Sequence, residues 1–164
     1  MCHLKPKIDT VYKKARQIIS TQSRTEAFHV MNMAAVKERI NLWRQHMPNV
    51  TPHYEVMANN DEHLLKCVLE QGCNFDCASK AEIELVLRLG GHSNQIIFAN
   101  PCKLEDHIAY AKEVGVKLMT FDSVEELEKI NKIYPEAELV LQIAVEEANE
   151  LCAFNKKFGA PLEL

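Results

Sequence analysis

The sequence has few of the features that mark membrane, fibrous or nucleic-acid-binding chains. Its 164 residues contain no apolar run close to the roughly 20 residues that a transmembrane helix needs. Five glycines and six prolines are too few for a collagen-like or low-complexity chain. The net charge of −4 argues against nucleic acid or an anionic membrane as the main partner. These absences leave an ordinary globular chain, whose length suits one core.

The six cysteines do not form the pattern of a disulfide framework or of a metal site. There is no C-x-x-C pair, and the seven histidines show none of the spacings of zinc ligands. The first seven residues do not resemble a secretory signal, so we expect reduced cysteines and a cytoplasmic protein without a metal. Four cysteines lie in or beside apolar segments and are predicted to be packed: Cys67, Cys73, Cys77 and Cys102.

Five short segments are predicted to be β-strands and recur with a nearly constant period. They are residues 53–58, 74–78, 95–99, 117–121 and 138–143, and their first residues lie 21, 21, 22 and 21 positions apart. Between them, apolar residues recur at helical spacing. Ser79–Glu82 and Ser123–Glu126 match the capping-box pattern at helix starts. The alternation predicts an α/β fold in which parallel strands are covered by helices.

The residues before this repeat predict a separate N-terminal region. Helical stripes occur at residues 8–19 and 33–43, and a short strand is predicted at residues 27–30. We therefore divide the chain into N-terminal helices with a short strand, residues 1–50, and a βα-repeat domain, residues 51–164. Two architectures fit five βα units: an open doubly wound sheet and part of a (β/α)8 barrel. The turn after the first strand lacks the glycines of a dinucleotide-binding sheet, and composition alone does not choose between the two.

Five motifs occur in order along the chain. They are P-H-Y-E-V-M-A-N (52–59), F-D-C-A-S-K (75–80), A-N-P-C-K (99–103), M-T-F-D-S (119–123) and K-F-G-A (157–160). Their order and spacing resemble those of the eukaryotic ornithine decarboxylases and of the antizyme inhibitors, the noncatalytic relatives of these enzymes. The resemblance covers residues 25–164.

The resemblance implies a fold, a cofactor and an activity. The family has a pyridoxal-phosphate-binding barrel of the alanine racemase type, followed by a C-terminal β domain. It works as a head-to-tail dimer that converts ornithine to putrescine, a lyase reaction of polyamine biosynthesis. This chain would then hold the N-terminal helices and about five of the eight βα units, an incomplete barrel.

Two departures from the family pattern affect the predicted site. The family's Schiff-base lysine aligns with Met57, whose thioether cannot form an imine. An arginine near the cofactor aligns with Gln142, which lacks its charge and its guanidinium fork. Asp76 and Glu82 match acidic positions that the family keeps near the lysine and the cofactor. Asp76, Glu82 and Gln142 are expected to be vestigial, and we expect no catalytic residue in this chain.

Further groups of the family's site come from strands beyond residue 164. These are the histidine that stacks on the cofactor ring, the glycine-rich segment that binds the phosphate, and the carboxylate that contacts the pyridine nitrogen. The cysteine and the aspartate that each subunit contributes to its partner's site across the dimer interface also lie there. An electron sink needs that carboxylate and that phosphate anchor. We therefore expect that the chain alone does not bind pyridoxal phosphate and is inactive.

Most of the remaining features have a structural interpretation. Methionine at position 57 fills space in a barrel interior, and Glu82 completes the capping box with Ser79. Asp76, near the end of a strand, is interpreted as a relic of a site rather than a working group. The acidic residues 125, 126 and 128 are expected on a solvated helix face. Residues 100–123 correspond to a region that contributes to antizyme recognition in vertebrate relatives.

Three functions remain open at this point. The chain is a decarboxylase by descent, a regulatory pseudoenzyme like the antizyme inhibitors, or a truncated gene product without a role. The partners implied by the resemblance are a second copy, a catalytic homologue, or antizyme bound through residues 100–123.

Overall fold

The computed structural model describes residues 8–22, 26–145 and 158–162, which form two compact units, Met1–Asn49 and Val50–Leu164. The first unit contains helices α1 (Ile8–Thr21) and α2 (Met33–His46). Asn32 caps α2 by accepting the backbone N–H of Ala35 at 3.3 Å. These helices confirm the two predicted helical stripes.

The short strand predicted at residues 27–30 is wrong. Those residues have no regular secondary structure. A strand exists through its ladder to a neighbour, and among the described residues no strand pairs with this segment. Its apolar, β-prone composition is therefore insufficient to define a strand.

The second unit alternates strands and helices as its period predicts. The strands are β1 (His53–Glu55), β2 (Asn74–Cys77), β3 (Ile96–Phe98), β4 (Leu118–Phe121) and β5 (Glu138–Leu141). The helices between them are α3 (Glu62–Glu70), α4 (Lys80–Arg88), α5 (Glu105–Val114) and α6 (Val124–Ile133). The strands form one parallel sheet in the order β1-β2-β3-β4-β5. The predicted α/β class and the five strands are confirmed.

Local capping explains where the helices begin and end. Asp61 caps α3 by accepting the N–H groups of His63 and Leu64 at 2.9 and 3.1 Å. Ser79 Oγ accepts the N–H of Glu82 at the start of α4, and Ser123 Oγ accepts the N–H of Glu126 at the start of α6. Gly115 ends α5 with φ of 78°, a left-handed conformation that favours glycine.

The core lies between the helices and one face of the sheet, which we call the outer face. Side chains alternate between the faces of a strand, and the buried strand residues other than Thr120 all belong to this face. They are Phe75, Cys77, Ile96, Phe98 and Met119, and they pack with helix residues such as Leu65, Ile83, Ile108 and Ile130. The opposite, inner face includes the row Glu55, Asp76, Ile97, Leu118 and Glu138, which the strand register aligns.

The fifth strand is exposed along its whole length. All four residues of β5 are exposed, on both faces of the sheet. Beyond it, Ile143 forms a single parallel bridge with Ala160, and Gly159 donates its N–H to Asp122 at 2.9 Å. Position 159 needs glycine, because its φ is +114° and a Cβ atom would lie 2.6 Å from the nitrogen of Ala144. Lys157 of the K-F-G-A motif lies outside the described residues.

In residues 8–22, 26–145 and 158–162, no helix combines the length and the apolarity that crossing a bilayer requires.

Candidate functional site

The carboxyl ends of all five parallel strands meet at one edge of the sheet, where barrels of this type bind their ligands. Met57 lies at this edge, but not in a strand. The strand predicted over residues 53–58 ends at Glu55, and Val56–Ala58 form a 3-10 turn. Met57 is 68% exposed in the five-stranded sheet, so its packing in the interior of a closed barrel stays a prediction. In the turn, Val56 is buried instead.

Asp76 lies on the inner face of β2, directly opposite Glu55 of β1 in the strand register. Burial raises the pKa of the Asp76 carboxyl, and the charges of Glu55 and Glu82 raise it further. His53 acts in the opposite direction on this pKa. The structure therefore brings Asp76 and Glu82 close enough to interact, in a locally negative environment.

Glu82 is engaged as a helix cap. Its carboxylate accepts the backbone N–H of Ala78, while Ser79 Oγ accepts the N–H of Glu82 at 3.4 Å. The predicted capping box is therefore present in a variant form, in which the carboxylate reaches the residue before the N-cap. This contact explains the position of Glu82 without a catalytic role.

Gln142 directly follows β5, which ends one residue before it. The backbone of Gln142 donates to the oxygen of Phe121 at 2.8 Å and accepts the N–H of Ala160 at 2.9 Å. Its main chain thus joins β4 to the segment around Ala160. The side chain is half-buried at the same edge as Met57.

The cysteines divide into packed and exposed thiols. Cys67, Cys73 and Cys77 are buried as expected. Burial raises the pKa of the Cys77 thiol, with smaller contributions from Glu82 and Asp76, and a protonated thiol is a poor nucleophile. Cys102 is exposed, so its predicted packing is wrong. The residues on either side of it, Pro101 and Lys103, are buried instead.

Glu126 corrects another prediction. It was expected on a solvated helix face, but it is 3% exposed. Its N–H is capped by Ser123 Oγ at 3.3 Å, while its carboxylate lies 2.9 Å from Lys103 Nζ and 2.6 Å from Lys129 Nζ. The second capping box is therefore only half formed, because the carboxylate binds cations instead of the N-cap backbone.

Lys103 is the buried residue that sequence reasoning missed. The pKa of its amine lies below the ordinary value, because burial lowers it by more than the hydrogen bond and the charge of Glu126 raise it. A signal was present in the sequence, since this lysine stands within the A-N-P-C-K motif, beside Pro101 and Leu104. Nothing local identified its partner, which lies 23 residues further along the chain.

With this geometry established, comparison with known proteins assigns the family. Residues 33–164 match the family model described as pyridoxal-dependent decarboxylase, pyridoxal binding domain. The chain belongs to this family.

Similar proteins among these decarboxylases include two ornithine decarboxylases. The protein of Caenorhabditis elegans is 43% identical over 139 residues, which are 85% of this chain and 33% of that protein. The protein of Neurospora crassa is 44% identical over 138 residues, which are 84% of this chain and 28% of that protein. The chain thus spans about a third of the length of the curated relatives it matches.

Solved structures of decarboxylases share the fold. The arginine decarboxylase of Paramecium bursaria Chlorella virus matches with a TM-score of 0.87 and 37% identity, over 93% of this chain and 41% of that one. The ornithine decarboxylase of Entamoeba histolytica matches with a TM-score of 0.77 and 28% identity, over 83% of this chain and 43% of that one. The five βα units therefore correspond to part of the barrel domain of these enzymes.

The residues of this chain do not fit covalently attached pyridoxal phosphate. Attachment needs an uncharged amine at the strand edge, and position 57 carries a thioether. Lys103 is near this edge, but its Nζ is held by Glu126 at 2.9 Å and by the backbone oxygens of Asn100 and Thr120 at 3.0 and 2.6 Å. These three acceptors fix Nζ inside the fold, where the side chain is 0% exposed, so the amine is not accessible for attack on an aldehyde. We therefore derive no catalytic step through this cofactor.

In the ranges that the structure describes, no three histidine, cysteine, aspartate or glutamate side chains converge in a way that could hold a metal ion.

Proposed function

We propose that this chain is a noncatalytic member of the ornithine decarboxylase branch of its family and acts by binding a protein partner. The observation that carries the proposal is the methionine at position 57, an exposed thioether where the family resemblance aligns the Schiff-base lysine. The engagement of Lys103 with Glu126 supports it, because the buried amine cannot take over that role.

The charge balance of the candidate site supports the same proposal. The family resemblance aligns Gln142 with an arginine, so the site would lose two cations while it keeps Asp76 and Glu82. A neutral amide offers neither the charge nor the bidentate geometry of a guanidinium group. An anionic phosphate cofactor would then meet carboxylates without compensating cations.

A cofactor-binding experiment tests the noncatalytic assignment. Purified chain is mixed with pyridoxal phosphate, reduced with borohydride and digested, and the lysine peptides are examined by mass spectrometry. We expect no reduced adduct, whereas a related ornithine decarboxylase treated in the same way carries one. A specific adduct on one lysine of the chain, together with carbon dioxide release from ornithine, would contradict the proposal.

Within this proposal, the partner is antizyme or a catalytic homologue of the chain. Residues 100–123, which resemble the antizyme-recognition region of vertebrate relatives, begin with the exposed side chains of Cys102 and Leu104. A truncated product without a role is the alternative.

Binding to the two partners separates these possibilities. Immobilised chain is incubated with purified antizyme and, separately, with a purified ornithine decarboxylase. We expect retention of one of them, with antizyme binding weakened in Leu104→Asp and unchanged in the matched control Val50→Asp, which lies outside residues 100–123. Retention of neither protein would favour the truncated product.

A further inference from the structure

The loop that follows β3 is joined to the end of β4 and to helix α6 by buried charged side chains. Lys103 donates from Nζ to the backbone oxygens of Asn100 and Thr120, at 3.0 and 2.6 Å, and pairs with Glu126 Oε1 at 2.9 Å. The same Oε1 atom accepts the backbone N–H of Lys103 at 3.2 Å. One lysine therefore connects the end of β4, the loop after β3 and helix α6.

Lys129 completes the network from the next turn of α6. Its Nζ lies 2.6 Å from Glu126 Oε2 and donates to the backbone oxygen of Lys103 at 2.6 Å. Both backbone groups of residue 103 are thus held from α6. The side chains of Lys103 and Glu126 are 0% and 2% exposed, so no partner or ligand reaches them.

This arrangement differs from ordinary apolar packing. Apolar side chains of similar volume would fill the same space without fixing the positions of the loops, and would avoid the cost of removing ions from water. Hydrogen bonds depend on direction, and three of the bonds end on main-chain atoms of the loop after β3. These bonds therefore form together in only one position of the loop relative to α6 and the end of β4.

We propose that Lys103, Glu126 and Lys129 form a conformational lock that holds the β3–α5 loop (residues 99–104) against the end of β4 and the start of helix α6 without any bound ligand. These three parts of the chain lie at the carboxyl edge of the sheet, where ligands of related barrels bind. The lock orders this part of the edge before any cofactor or partner arrives. It does not depend on whether the chain is catalytic, and so goes beyond the proposed function.

Amide hydrogen exchange, measured by mass spectrometry on the full chain in the oligomeric state it adopts, tests the lock. In Lys103→Met we expect the amides of residues 99–104 to exchange at least tenfold faster than in the wild type, while α3 and β2 keep their rates. The matched control is Lys132→Met, at an exposed lysine of α6, which should leave all rates unchanged. Unchanged exchange of residues 99–104 in a folded Lys103→Met variant would overturn the proposal.

A milder variant keeps the test decisive if Lys103→Met does not fold. Lys129→Met removes the bond to the oxygen of Lys103 but keeps the buried pair of Lys103 and Glu126, and we expect a several-fold acceleration confined to residues 99–104. Addition of pyridoxal phosphate to the wild type should leave these rates unchanged. Wild-type exchange of the loop in Lys129→Met, or protection that appears only with pyridoxal phosphate, would refute the lock.

Discussion

At the scale of single residues, the candidate site combines carboxylates with few balancing cations. Asp76 lies opposite Glu55 in the sheet register, and Glu82 acts on the same carboxyl group. Carboxylates that share a partly buried site disfavour one another's ionised form. The ionised form of Asp76 therefore lowers the stability of the fold, and a neutral side chain of the same shape relieves this cost.

Replacement of Asp76 by asparagine is expected to raise stability near neutral pH. The folded pKa of Asp76 lies above its ordinary value of 3.8, so the folded chain binds this proton more tightly than the unfolded chain. The cost of the charge is then fully present above the folded pKa, and it disappears as the pH falls below 3.8. Urea denaturation at several pH values measures this. Asp106→Asn, on an exposed position of α5, is the control and should have little effect.

Restoration of a lysine at position 57 is expected not to create decarboxylase activity. The new amine would stand in an exposed 3-10 turn, with Gln142 still in place of the arginine expected from the resemblance. Groups that act as a unit contribute non-additively, so the repair of one recovers little. Release of labelled carbon dioxide from ornithine measures the result for Met57→Lys and for Met57→Lys with Gln142→Arg. Activity in the single variant would contradict this prediction.

At the scale of secondary-structure elements, the start of α6 combines an ordinary cap with a buried ion pair. Ser123 Oγ accepts the N–H of Glu126, and the carboxylate of Glu126 binds two lysines. Both residues belong to one sequence pattern, S-x-x-E, which in α4 serves capping alone. The same sequence pattern is therefore expected to contribute differently to the free energy of unfolding in the two helices.

The two residues at the start of α6 are expected to differ clearly in their effect on stability. Ser123→Ala should cost about 1 kcal/mol, the usual value for a lost N-cap. Glu126→Gln should cost about 3–5 kcal/mol, because it leaves buried lysine charge without its partner. Denaturant midpoints of the two variants, with Glu125→Gln at the exposed neighbouring position as control, measure the difference. Equal losses would mean that the buried pair adds nothing beyond the cap.

At the scale of the whole molecule, the second unit has two sheet edges and an uncovered strand. β1 and β5 are the outer strands among those described, and β5 is exposed throughout. Its exposed side chains include Leu139, Val140 and Leu141. Unpaired backbone groups beside apolar side chains are a template for pairing with another chain.

The chain studied alone is therefore expected to self-associate at micromolar concentration. Light scattering should give a mass well above the 18.7 kDa of one chain. Val140→Lys and Leu141→Lys place charge on the exposed edge and should lower the apparent mass. Val124→Lys, at a more exposed position at the start of α6, is the control and should not. A dilute monomer with a sharp, cooperative thermal transition in the wild type would contradict the prediction.

The sequence by itself determined the alternation of strands and helices, and the motifs indicated the family. Both depend on signals that are local: side-chain periodicity sets the element type, and capping residues such as Asp61 and Ser79 set the helix starts. Met57 and Gln142, by contrast, were predicted inside strands, whereas β1 and β5 end before them. Their departures from the family pattern could be identified before any coordinates were known.

Only the tertiary structure decided which charged and apolar residues are buried. Glu126 belongs to an acidic stretch that the sequence predicts to be solvated, yet it is buried. Its partner Lys103 lies 23 residues earlier in the chain, and the pairing of β3 with β4 brings the two residues together. Residues 27–30 have the composition of a strand but no ladder partner among the described residues. Periodicity reports the preference of a segment for its own conformation. Burial, ion pairing and strand formation depend on groups that are distant in sequence and come together only when the chain folds.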